Sequence, residues 1–136
     1  MKNISRFFLL IPIILILNLI WEFSHSSLYI DLSGISPIPH LFLASFTDIL
    51  IILGIFLIVS LKNKNINWIN TPTRKDYLIV VLLGLIISAT IEIINLNLGR
   101  WKYTRLMPTI FGIGISPLIQ LAATAILSLL IIKKIN

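Results

Sequence analysis

The sequence predicts an all-α integral membrane protein, a four-transmembrane-helix bundle forming one domain over residues 1–136. Three observations predict it. The chain is 57% hydrophobic and only 12% charged, where soluble domains are about a quarter charged. Its mean hydropathy is +1.02. Four apolar runs, about 7–23, 41–61, 77–98 and 109–132, each approach the roughly 20 residues that a bilayer core about 30 Å thick requires.

The runs are read as helices despite their Ile content, because a backbone in lipid must satisfy its own hydrogen bonds. The first run follows Lys2 and Arg6, as a secretory signal would. It continues into Trp21, Glu22 and Phe23 with no small-x-small cleavage site, and is read as an uncleaved helix. Pro12 lies one turn inside it, where a kink or a shortened start is tolerable. The second run begins at Leu41, after a loop from Ser24 to His40. The next loop, with Asn63, Asn65, Asn67, Asn70 and Thr71-Pro72-Thr73, reads as an ordinary polar connection. Thr73 with Asp76 resembles an N-cap for the third helix. Pro117, inside the fourth run, is expected to kink it.

The net charge of +6 does not point to nucleic acid, because the cations cluster between apolar runs and so report orientation. Lys2, Arg6, Lys62, Lys64, Arg74, Lys75, Lys133 and Lys134 fall on one side, and Arg100, Lys102 and Arg105 on the other. The expectation is a multi-pass protein of the cell membrane with both termini cytoplasmic. The absence of cysteine excludes disulfides, thiol nucleophiles and thiolate metal sites.

Three of the five acids, Glu22, Asp48 and Glu92, lie in or at the ends of the runs. Each costs about 2.5–3.5 kcal/mol to insert and is expected inside the bundle. At the helical rise, Glu22 and Glu92 lie about 22 Å from the inner starts of their helices, and Asp48 about 10 Å below the outer start of its own. All three then share the outer half. Helical spacing also groups Asn18, Glu22 and His25; Ser45 and Asp48; Ser88, Glu92, Asn95 and Gly99; and Ser116, Gln120 and Thr124. Pointed inward, these four stripes make a polar cavity open to the outer face. The segment from Gly99 to Pro108 then lies over its mouth, with Arg100 above Glu92 as a candidate counter-ion.

Two carboxyls in a dry cavity can share protons and so act as general acid and base. Glu92, Asp48 and Glu22 are the candidate catalytic groups. Arg100, Trp101, Tyr103, Asn95, Gln120, His25 and His40 are the candidate substrate-binding residues. Each has a blander reading: polar seams between helices for the hydroxyls and amides, and an aromatic belt for Trp101 and Tyr103. The acids and histidines have the atom types for zinc, but no H-E-x-x-H spacing exists, and neither metal nor cofactor is expected. The function expected is non-redox acid–base chemistry on an isoprenoid or other lipid. The alternative is a non-catalytic membrane subunit or a lipid-binding or transport protein. The expected partners are membrane lipids, a lipid-soluble substrate, and a second copy or another membrane protein.

Gly99-x-Trp101-x-Tyr103, followed by Gly112-Ile113-x-Ile115-x-Pro117-Leu118, resembles the G-x-W-x-[FY] … G-I-x-I … P-L-E segment of the small membrane lycopene cyclases. A looser version occurs in related carotenoid hydratases. The likeness covers about residues 92–120. It implies protonation of a polyene end by intramembrane carboxylates, with no redox change. The chain departs from that pattern after Pro-Leu, where Ile119 and Gln120 replace the family's acids, so Glu92 or Asp48 would have to supply the proton. Over its whole length, from Trp21-Glu22 through Asp48 and Glu92 to Gln120, the chain resembles a group of uncharacterised small four-span prokaryotic membrane proteins. That likeness implies no activity.

Overall fold

The computed structural model describes residues 2–135, and side chains from Arg6 onward. Four long helices dominate: α1 (Lys2–His25), α2 (Pro37–Asn63), α3 (Arg74–Asn97) and α4 (Ile115–Lys134). All four are long and apolar enough to cross a membrane. Each helix packs on its two neighbours in a ring. α1 lies between α2 and α4, and α3 lies between α2 and α4.

The helix ends follow local chemistry. α1 runs on through Pro12 without a shortened start. α2 begins four residues before the expected Leu41, because Pro37 at the first helical position has its φ preset and lacks an N–H the helix would not use. His40 is therefore helical rather than in the loop. Thr73 and Asp76 form a complete capping box at the start of α3. At its end, the Gly99 N–H bonds to the Leu96 carbonyl and the Arg100 N–H to the Asn95 carbonyl. Gly99 takes φ +67°, the left-handed step that closes such a motif and that favours glycine.

The fourth run needs correction. Residues 109–114 are not helical. They form a tight antiparallel hairpin of β3 (Thr109–Ile110) and β4 (Ile113–Gly114), with Thr109 opposite Gly114 and Ile110 opposite Ile113. Phe111 and Gly112 both adopt positive φ in the turn, which ends any helix there. Pro117 then falls in the first turn of α4, where no amide hydrogen is needed, and it introduces no mid-helix kink.

A second ribbon joins two loops. β1 (Tyr29–Asp31) pairs antiparallel with β2 (Trp101–Tyr103), setting Tyr29 opposite Tyr103 and Asp31 opposite Trp101. The Leu32 N–H to the Arg100 carbonyl and the Thr104 N–H to the Leu28 carbonyl, both 2.9 Å, extend the ladder. The α2–α3 connection is also more than a polar loop. A 3-10 turn (Ile66–Asn70) buries Trp68 and Ile69. The Trp68 indole donates to the Ser60 hydroxyl at 2.9 Å and meets Phe56 edge-on.

The bundle is divided along its length. Leu10, Ile14, Ile52, Phe56, Val80 and Leu129 fill the half nearer the two termini. Asn18, Ser45, Ser88, Glu92, Gln120 and Thr124 are buried in the half beneath the β1–β2 ribbon.

Candidate active site

All four polar stripes face inward. Asn18, His25, Ser45, Ser88, Glu92, Asn95, Gln120 and Thr124 are buried, and Glu22, Asp48 and Ser116 are half-buried. Of these, Glu22, His25, Asp48, Ser88, Glu92, Asn95 and Gln120 line a cavity of about 560 Å³. Nine of the ten expected site residues line it, and the tenth, Tyr103, reaches it through Glu92. Its apolar wall includes Leu41, Ala44, Ile51, Ile91 and Leu121. Leu43 and Thr47 of α2 also belong to the wall and are exposed, so the cavity reaches the outer surface of the bundle at α2.

One carboxyl group of the cluster belongs to α1 and one to α2, and α4 joins them. The Gln120 side-chain amide donates to Glu22 Oε1 and to Asp48 Oδ2, each at 2.8 Å, and lies 3.2 Å from Asn18 Oδ1. Asn18 is fixed in turn by its own donation to the Ile14 carbonyl, and Thr124 stands 3.3 Å from the same Asn18 oxygen. Gln120 thus tethers the two acids. His25 lies on the other side of Glu22. Its Nε2 is 3.4 Å from Glu22 Oε2 and its Nδ1 is 2.8 Å from the Ser116 hydroxyl, which also accepts the Trp21 indole N–H.

Glu92, on α3, is held by a separate set of neutral donors. The Tyr103 hydroxyl donates to Oε2, the Trp101 indole approaches the same oxygen at 3.4 Å, and the Tyr29 hydroxyl approaches Oε1 at 3.4 Å. The alternation of β2 explains the pattern: residues 101 and 103 share one strand face, and that face lies over Glu92. Tyr29, directly opposite Tyr103, completes the group. Its ring meets those of Trp101, Tyr103 and His25 edge-on at 5.9, 5.5 and 5.2 Å. Burial, with the nearby Glu92, pushes both the Tyr29 and Tyr103 phenols above their ordinary pKa. Both stay protonated and remain donors.

Arg100 does not pair with Glu92. Its guanidinium donates instead to Asn95 Oδ1 at 3.1 Å, and none of the ion pairs among the described residues includes it. Asn95 stands one turn beyond Glu92 on the same face and intercepts the arginine, while the aromatic donors occupy the carboxyl.

At the rim, His40 Nδ1 lies 2.5 Å from Asp31 Oδ2, with the Ser33 hydroxyl 3.3 Å away. Burial works against the Asp31 charge, but bonds from Ser33 and His40 outweigh it and hold the carboxyl below its ordinary pKa. Deeper, the Ser88 hydroxyl is buried against the cavity wall with no hydrogen-bond partner. Among the described residues, no three His, Asp or Glu side chains form a metal-ligating group. Sequence reading missed Tyr29 and Asp31. The only signal for them is their place across an antiparallel pair from Tyr103 and Trp101, and three-residue strands carry too little pattern to announce that pairing.

The fold and site define a four-helix bundle, of helices long and apolar enough to cross a membrane, around a carboxyl-lined cavity. No family model, curated protein or solved structure matches the chain.

Proposed function

We propose that this protein performs non-redox acid–base chemistry on an isoprenoid or other lipid, as a multi-pass protein of the cell membrane with both termini cytoplasmic. One observation carries the reading: three carboxyl groups from three helices open onto one cavity, and none of the ion pairs among the described residues gives them a lysine or arginine. Acids retained inside spanning segments at this cost mark function.

Glu22 and Asp48, both bonded to the one Gln120 amide nitrogen, serve as one acid. Two carboxyls held this close disfavour carrying two charges at once, so one of them keeps a proton, and that proton is the one delivered to a carbon–carbon double bond. Glu92, oriented by its three donors, takes a proton from a neighbouring carbon. One proton enters and one leaves, so the product is an isomer. If water adds to the cation first and gives its proton to Glu92, the product is a hydrate. Neither route needs an oxidant. The edges of Tyr29, Trp101 and Tyr103 shape the space beside Glu92, and the cavity volume falls in the range of about 300–1,000 Å³ usual for small-ligand sites. The exposed Leu43 and Thr47 give a lipid a way in from the side. The likeness to the lycopene cyclases supports the same chemistry, with Asp48 and Glu22 taking over from the acids that Gln120 replaces.

Lipids retained by purified protein, identified by native mass spectrometry with chromatographic separation of isomers, test the proposal. Glu92→Gln is expected to hold a precursor that is an isomer of the wild-type lipid, or lighter by one water. The same bound species in both proteins makes this a binding protein and overturns the catalytic reading. Reporter fusions test the orientation, which fails if the α2–α3 connection lies outside.

A further inference from the structure

We propose that Arg100 is a headgroup subsite, holding the anionic end of an amphipathic lipid, a phosphate ester or a carboxylate, at the cavity. This rests on the reading of the cavity as a lipid site and adds the chemical class of its occupant.

Arg100 is the one lysine or arginine that lines the cavity among the described residues. A guanidinium has five N–H donors in a fixed fork that matches carboxylate and phosphate oxygens two at a time. One hydrogen bond of this side chain is formed, to Asn95 Oδ1 at 3.1 Å. Four carboxyls, Glu22, Asp31, Asp48 and Glu92, line the same cavity, yet none is within ion-pair distance of it. A cation that lines one cavity with four acids and is joined to none of them is placed for a charge that arrives from outside.

The base of the side chain and its one partner are fixed. Asn95 is buried, and its own amide is committed to the Ile91 carbonyl at 2.8 Å, so its oxygen presents in one direction. The Arg100 backbone is fixed at both ends: its N–H bonds to the Asn95 carbonyl and its carbonyl accepts the Leu32 N–H. Such preorganisation lowers the cost of ordering the side chain on binding. The next cation behaves differently. Lys102, exposed as Arg100 is, forms no part of the cavity wall, as strand alternation requires for the residue between Trp101 and Tyr103. It therefore serves as an internal control for surface charge.

Calorimetric titration of the detergent-purified protein with hexadecyl phosphate, palmitate, hexadecanol and inorganic phosphate tests the proposal. The phosphate ester or the carboxylate is expected to bind at least tenfold more tightly than the alcohol, and which of the two does so identifies the headgroup. Arg100→Gln should abolish the preference, Arg100→Lys should keep part of it, and Lys102→Gln should leave it unchanged. Equal affinity for hexadecanol overturns the subsite. So does an equal loss in Lys102→Gln, which would mean diffuse surface attraction. Inorganic phosphate binding as tightly as its hexadecyl ester overturns the lipid assignment. A headgroup preference that persists while Glu92→Gln leaves the bound lipid unchanged removes the chemistry proposed above and keeps this subsite. A changed lipid with no headgroup preference does the reverse.

Discussion

Gln120 shows how one side chain sets the arrangement of the site. Its amide carries two hydrogens, and three acceptors lie within 3.2 Å of the nitrogen. Replacing it with leucine leaves the Glu22 and Asp48 oxygens without their donor. An unsatisfied buried group costs about 1–3 kcal/mol, so Gln120→Leu is expected to lower the stability measured by unfolding in mixed micelles by that order. Asp31 gives a pH-dependent expectation. A carboxyl held below its ordinary pKa stabilises the fold above the ordinary carboxylate range, and the contribution disappears as pH falls through the depressed value. Melts of Asp31→Asn against wild type should therefore differ near pH 7 and converge below about pH 4, where free carboxylates protonate. The exposure of the Asp31–His40 pair keeps that difference small. At this scale the acids and their shared depth are legible in the sequence, because helical rise and spacing fix them. The partner of Arg100 is not. Both Glu92 and Asn95 lie on the face below it, and a choice between them rests on where the aromatic rings come to lie.

The elements are stabilised by contacts of different kinds. α3 and α4 cross with Gly84 against Ala122. A Cβ at Gly84 would meet the Ala122 backbone Cα and N at 2.9 Å, and a backbone cannot turn aside as a flexible side chain can. Gly84→Ala is expected to destabilise by about 1–3 kcal/mol, the usual cost of overpacking. Gly54, on α2, has nothing within 4 Å of the same added atom. Alanine there should be neutral or stabilising, by up to about 1 kcal/mol. Unfolding of both variants in the same micelles separates packing from helix propensity. Hydropathy makes the four helices legible because each needs about 20 apolar residues. It cannot separate the hairpin from α4. Ile110, Phe111 and Ile113 are as apolar as the helix that follows, and the break is written in the backbone signs of Phe111 and Gly112. The buried 3-10 turn hides in the same way, since its Asn residues mask the contribution of Trp68 and Ile69.

Across the whole molecule, the ribbon brings together loops that are distant in the chain. Ile30 faces Lys102 in its register, and side chains directly opposite in an antiparallel pair have Cβ atoms about 4.5–5.5 Å apart. The chain contains no cysteine, so Ile30→Cys with Lys102→Cys provides a clean pair. Mild oxidation should link them, with a mobility shift on non-reducing gels that a control pair of Ile30→Cys with Arg105→Cys forms less readily. The inward direction of the four stripes is legible because only one arrangement puts every polar stripe inside. The closure of the cavity by two loops is not, because strand pairing between residues 29–31 and 101–103 leaves no local trace.

The bridge made by Gln120 also sets an order of events. Synthesis runs from the N-terminus, so Glu22 and Asp48 are made before the residue that tethers both of them. If the helices enter the bilayer in chain order, α1 and α2 each carry a carboxyl whose partner does not yet exist, at an insertion cost of about 2.5–3.5 kcal/mol for an acid at mid-helix. The long apolar remainder of each helix has to offset it. The last of these four helices to be made is therefore the one that completes the acid pair, and a nascent chain stopped before α4 would hold its acids without their shared donor.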